Sequence, residues 1–113
     1  MEIQEFKEYQ GIADLDVTLK VREFKEQIDI LKALASDTRL KIIKLLREKR
    51  NDPERGLDIS SLAYLLKQTE ANISAQCKRL EKAGLIKIDF KPGGHGVRKI
   101  CSVDFASIEF LFE

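Results

Sequence analysis

Apolar residues in this chain recur every three to four positions through most of its length and every second position only near its end. From about Thr18, the residues Phe24, Ile28, Leu31 and Leu34 form one stripe at helical spacing, which predicts a first helix. The stretch "ASDTR" ends it, and Ser36 or Asp37 can accept from the orphan N–H groups of a second helix running to about Lys49. Leu40, Ile43 and Leu46 are the expected buried side of that helix, and Lys41, Lys44 and Arg47 its outer face. "RNDPERG", residues 50–56, reads as a loop on its Pro, Gly and Asn content. A short third helix, about Ser60 to Lys67, carries Leu62, Leu65 and Leu66. After the turn "KQTE", Thr69 can cap a fourth helix whose Ile73, Cys77 and Leu80 lead into Leu85 as one buried stripe. Gly84 ends it with a residue free to go left-handed.

Here the period falls to two. In "LIKIDFK", Ile86, Ile88 and Phe90 alternate with Lys87, Asp89 and Lys91, the pattern of a half-buried strand. "PGGHG" is a turn, and "VRKICSV" returns as the second strand of a hairpin. The closing "DFASIEFLFE" gathers Phe105, Ile108, Leu111 and Phe112 along one side of a short terminal helix. The expected fold is mainly α with a small β-hairpin, in the order α-α-α-α-β-β-α.

Length and composition narrow the class. A chain of 113 residues suits one domain with a modest core, and 43% hydrophobic with 35% charged residues describes a soluble fold. No apolar run approaches the roughly 20 residues that cross a bilayer, and "MEIQEFKEYQ" has no export-signal pattern. Two cysteines are too few for a disulfide framework, so a cytoplasmic location is expected. The net charge is only +1, but it is unevenly spread. Residues 1–16 set Glu2, Glu5, Glu8, Asp14 and Asp16 against Lys7, and residues 1–17 are set apart as an acidic extension to a domain over 18–113. Residues 67–99 hold eight basic side chains against Glu70, Glu81 and Asp89. Such a field draws an anionic polymer to one side.

The fourth helix carries the most informative chemistry. Asn72, Ala75, Gln76 and Arg79 stand at i, i+3, i+4 and i+7 and share its free face. A helix lying in the DNA major groove needs small residues for close approach, here Ala71, Ser74 and Ala75, with amides to meet adenine and Arg to meet guanine. Lys67, Thr69, Lys78 and Lys82 flank that face, while Lys91, His95, Arg98 and Lys99 surround the Gly-rich hairpin tip, positions suited to phosphates. A short helix, a turn, a second helix and a basic hairpin form the order of a winged helix-turn-helix.

The stretches "LKALASDTRLKIIKLL" and "ISSLAYLLKQTEANISAQCKRLEKAGLIKI" resemble the ArsR-type family of bacterial and archaeal repressors over about residues 31–103. The resemblance implies a homodimeric, sequence-specific double-stranded DNA-binding regulator acting as a repressor on a pseudo-palindromic operator. It also implies that the first and last helices form the dimer contact, through Phe24, Ile28, Phe105, Ile108, Leu111 and Phe112. Many members sense metal through two cysteines on the first helix of the pair, where this chain has Asp58 and Ser60 within "GLDISSL". Others use Asp, His and Glu on the last helix, where only Asp104, Glu109 and Glu113 occur. No metal and no other cofactor is therefore expected. Cys77 and Cys101 read as small buried hydrophobes, with a redox switch as the alternative. No nucleotide loop or nucleophile motif is present, so no enzyme is expected. The competing reading is a winged-helix protein-interaction module without duplex DNA binding. The operator, the effector ligand and the role of the acidic extension stay open.

Overall fold

The computed structural model describes residues 17–94 and 96–113. In chain order these form β1 (Thr18–Val21), α1 (Phe24–Leu34), α2 (Asp37–Glu48), β2 (Leu57–Asp58), α3 (Ile59–Leu66), α4 (Glu70–Lys82), β3 (Lys87–Gly93), β4 (Gly96–Ser102) and β5 (Ser107–Phe110). The four helices and the hairpin expected from periodicity are present in order. The acidic stretch 1–16 and His95 lie outside the described residues.

Side-chain caps explain where three helices start. Ser36 Oγ accepts from the Arg39 N–H at 3.3 Å, Asp58 Oδ1 from the Ser61 N–H at 2.8 Å, and Thr69 Oγ1 from the Asn72 N–H at 3.1 Å. Each such cap is worth about 1 kcal/mol. Helix α4 ends in a paired closing motif: Gly84 N–H donates to the Glu81 carbonyl and Leu85 N–H to the Leu80 carbonyl, with Gly84 at φ +82°. Helix α3 ends the same way on a lysine, Lys67, held at φ +57°.

The core gathers Ile42, Leu46, Leu62, Ile73, Cys77, Leu80 and Cys101, all fully buried, so the α3–α4 pair packs on α2 and on strand β4. On α2 and α3 two leucines of the expected stripes stand out of it: Leu40 and Leu65 are exposed, and Ile42 takes the central place on α2. On the hairpin, β4 lies between β3 and the short β2, all antiparallel, with Leu57 opposite Cys101 and Ile88 opposite Cys101 on the other side. Gly56, at φ +118°, makes this possible, because a Cβ there would sit 2.1 Å from the Cys101 carbonyl oxygen.

The two ends of the domain differ from the sequence expectation. Residues 18–21 are a strand rather than the start of α1, and the expected terminal helix is strand β5, paired parallel to β1 from Thr18↔Ser107 to Val21↔Phe110. The order is therefore β-α-α-β-α-α-β-β-β. Phe105, Ile108, Leu111 and Phe112 satisfy a helical stripe, but Ile108 and Phe110 also alternate with exposed Ser107 and Glu109. Short apolar runs fit both periods. The decision comes from 89 residues away, where β1 offers open backbone partners: Ala106 N–H donates to the Val17 carbonyl and Leu111 N–H to the Val21 carbonyl. Gln27 completes the strap, its buried Nε2 donating to the Val21 and Leu111 carbonyls at 3.0 and 2.9 Å.

That strap also turns α1. Gln27, Ile30 and Ala33 face the core, leaving Phe24 77% and Leu31 50% exposed. The more apolar stripe of α1 faces outward, because the inward stripe carries the amide needed to satisfy two buried carbonyl groups.

Candidate nucleic-acid interface

With Ile73, Cys77 and Leu80 beneath it, α4 turns Ala71, Asn72, Ala75, Lys78, Arg79 and Lys82 outward, and no described part of the chain covers them. Glu70 and Thr69 stand at its start, and Thr69 Oγ1 accepts the cap bond, which leaves its hydroxyl hydrogen able to donate.

The amides along this helix are tied into a one-way relay. Arg39 Nη1 donates to Gln76 Oε1 at 2.7 Å, and Gln76 Nε2 to Asn72 Oδ1 at 3.2 Å. Asn72 Nδ2 then donates to Gln68 Oε1 at 2.5 Å, and Gln68 Nε2 to Thr38 Oγ1 at 2.9 Å. The relay stitches α4 to α2 and holds each amide in one rotamer. Every amide nitrogen in it keeps a second hydrogen, and every amide oxygen a second lone pair. The outer edges of Asn72 and Gln76 thus remain able to bond, already oriented.

Arg39 anchors the relay, and periodicity gave no sign of it. Its side chain is buried, Nε donates to the Ala33 carbonyl at 2.5 Å, and Nη2 to the Lys32 carbonyl at 3.3 Å. The guanidinium thereby closes the C-terminus of α1, whose last carbonyls lack helical partners. Burial, and then the nearby Arg79 charge, lower the Arg39 pKa from its ordinary value. The signal available in the sequence was an Arg on the apolar side of α2, at i+3 from its cap.

The remaining expected site residues divide into three groups. Ser74 leans toward the hairpin and, with Ala71, Ser60, Val97, Arg98 and Lys99, lines an open cleft of about 360 Å³ between α4 and the wing. Lys67, Lys78, Lys82 and Lys91 are exposed. Arg98 differs: its Nε and Nη2 both donate to Asp58 Oδ2, at 3.1 and 3.0 Å, so it braces the wing against the start of α3. Asp58 is the second residue the sequence reading missed as a working part. Burial alone raises its carboxyl, but hydrogen bonds from Ser61 and then the Arg98 charge and bond outweigh it, and the net result lies below the usual carboxylate range.

Of the residues expected at a dimer contact, Phe24 and Phe112 are exposed and Ile28, Ile108 and Leu111 half-buried. Phe105 is a correction: only 7% exposed, it belongs to the protomer's own core and is not available to a partner. Arg22 pairs with Glu113, which brings the end of the described chain beside the start of α1.

Cys77 on α4 and Cys101 on the central wing strand are both fully buried. The thiol–thiol hydrogen bond, and then burial, push the Cys101 thiol far up from its ordinary value. Among the described residues, no group of three or more His, Cys, Asp or Glu side chains is placed to hold a metal ion. No helix among them is long and apolar enough to cross a membrane.

Residues 36–87, from the α2 cap to the first wing strand, match the family model described as "Bacterial regulatory protein, arsR family". Several solved structures share the fold. HlyU from Vibrio cholerae N16961 superposes with a TM-score of 0.52 at 20% identity, over 71% of this chain and 76% of that one. The transcriptional regulator homologue protein from Pyrococcus horikoshii OT3 gives 0.54 at 23% identity, over 71% and 76%. A further structure titled as an ArsR family transcriptional regulator gives 0.53 at 24% identity, over 69% and 75%. A search of curated proteins by sequence found no significant match. The caps of α2, α3 and α4, the helix pair and its amide-bearing outer face fall inside the matched segment, the wing follows directly after it, and over residues 36–87 the chain is similar to the ArsR family of regulators.

Proposed function

We propose that the protein is a sequence-specific double-stranded DNA-binding transcriptional regulator that acts as a homodimer on a pseudo-palindromic operator and represses by occupying promoter DNA. The observation that carries this reading is the uncovered outer face of α4, small at Ala71 and Ala75, with Asn72 and Gln76 held ready by the relay from Arg39. A side-chain amide that is already oriented loses less rotamer entropy on meeting a base edge. In this reading Ala71, Asn72, Ser74, Ala75, Gln76 and Arg79 lie at the bases. Lys67, Thr69, Lys78, Lys82, Lys91 and Lys99 serve phosphates, with Arg98 holding the wing in place. Domain 18–113 dimerises through the α1 stripe of exposed Phe24 and Leu31 and half-buried Ile28, continued by Phe112.

Fluorescence anisotropy on a selected operator and on random duplex tests the assignment. Asn72→Ala should cost about 1–3 kcal/mol on the operator and little on random DNA, whereas Lys91→Ala should weaken both alike. Light scattering should show a dimer that Phe24→Glu converts to monomer. Wild-type protein that binds no duplex at low salt would overturn the reading in favour of a protein-interaction module.

A further inference from the structure

Opposite the wing, α1 and α4 enclose an open groove of about 490 Å³. Lys25, Asp29, Lys32 and Ala33 line it from α1, and Arg79, Lys82 and Ala83 from α4. Among the described residues its charge is one-sided, four cations to a single carboxylate, and that carboxylate is engaged by Lys25, whose Nζ lies 3.2 Å from Asp29 Oδ2. Lys32, Arg79 and Lys82 have no ion pair among the described residues. The buried guanidinium of Arg39 lies behind, donating to the carbonyls of Lys32 and Ala33 on the groove's α1 wall.

We propose that this groove seats the phosphate backbone of duplex DNA, so that α1 grips one rim of the major groove while the wing grips the other. The inference rests on the proposed DNA-binding function and adds α1 to the contact surface. Three features favour a phosphodiester backbone over a small anionic ligand. Its apolar lining is Ala33 and Ala83 alone among the described residues, and the cations sit on long exposed side chains, an arrangement that answers charge along a polymer rather than the shape of one molecule. The groove is continuous with the outer face of α4, because Arg79 and Lys82 belong to both. Lys25 and Lys32 lie seven residues apart, two turns and about 10 Å along the same side of α1, so both can reach phosphates of one DNA strand. A helix lying in the major groove has a phosphate ribbon on each side, and beside α4 the second side carries Lys82 with Lys25 and Lys32 of α1, while Arg79 stands between this ribbon and the bases.

The test is the salt dependence of duplex binding by full-length protein carrying Lys25→Gln and Lys32→Gln together. Each lost phosphate contact should reduce the slope of log K against log salt by about 0.9, so the pair should reduce it by nearly two, equally on operator and random DNA. Asp29→Asn removes the carboxylate that lines the groove and should tighten binding to both duplexes several-fold at low salt, a gain that misfolding cannot produce. A wild-type slope in the double variant, with Asp29→Asn no tighter, would overturn the proposal while leaving the α4 reading intact. Inorganic phosphate that shifts the NMR signals of Lys32 and Lys82, with the DNA slope unchanged in the double variant, would assign the groove to a soluble anion and likewise overturn it. If the wild type binds no duplex, both readings fall together.

Discussion

Replacing Arg39 by Met should unfold the link between the helix pair and the rest of the domain before it affects anything else. The change keeps an unbranched stem but removes three donated hydrogen bonds, to Ala33 O at 2.5 Å, Gln76 Oε1 at 2.7 Å and Lys32 O at 3.3 Å. Hydrogen bonds from a charged donor contribute about 1.5–3 kcal/mol each, and the long third bond adds little. Part of the loss is recovered, because a buried guanidinium no longer has to be desolvated and water can reach Gln76 from the surface. The net cost should be about 3–4 kcal/mol, a large share of the roughly 5–15 kcal/mol that holds a domain together. Urea unfolding at fixed protein concentration, followed by far-UV circular dichroism, reads it directly. A double-mutant cycle with Gln76→Ala then isolates the 2.7 Å bond, with a coupling of about 1–2 kcal/mol expected. Arg39→Lys should fall between wild type and Met, since an ammonium on a flexible stem cannot serve three acceptors held in the geometry of a guanidinium fork. Strict additivity in the cycle, within about 0.5 kcal/mol, would show that Arg39 and Gln76 do not cooperate. The oriented-amide argument for α4 would then fail.

Three further outcomes follow from single sites. The Asp58 carboxyl is lowered in the fold, so its contribution is fully present above its unfolded pKa of about 3.9 and is lost as pH falls through the lower folded value; Asp58→Asn should flatten the acid limb of a stability–pH curve, and an unchanged limb would refute this. Gly56→Ala should destabilise by more than about 2 kcal/mol, since φ +118° and a 2.1 Å approach to the Cys101 carbonyl both exclude a methyl group, and a variant melting like wild type would refute the close packing of β2 on β4. Lys67→Gly should raise stability by about 0.5 kcal/mol, relieving a left-handed lysine at the end of α3, while weakening binding to all duplexes alike; equal loss of stability and affinity would contradict that separation.

Much of the molecule was legible in the order of its residues, because its central elements are set by local rules. Ser36 and Thr69 mark helix starts by supplying acceptors to orphan N–H groups, and Gly84 marks an end by tolerating positive φ. The run Ile73, Cys77, Leu80 and Leu85 is buried as its spacing requires, which leaves the amide face of α4 outward. Those rules act within a few residues, so a sequence suffices to apply them. The ends of the domain obey a different rule. Whether 107–110 coils or extends depends on a strand 89 residues earlier that needs a hydrogen-bonding partner, and no local preference of "SIEF" decides that. The inward turn of Gln27, the burial of Phe105, the bracing of the wing by Asp58 and the relay from Arg39 to Thr38 are of the same kind. Each joins groups far apart in the chain to satisfy a buried donor, acceptor or apolar surface. The sequence by itself thus determined the helix pair and the hairpin together with their outward chemistry. Tertiary structure alone decided how that chemistry is held and which face of α1 is left open, because buried polar groups take partners wherever the fold brings them within reach.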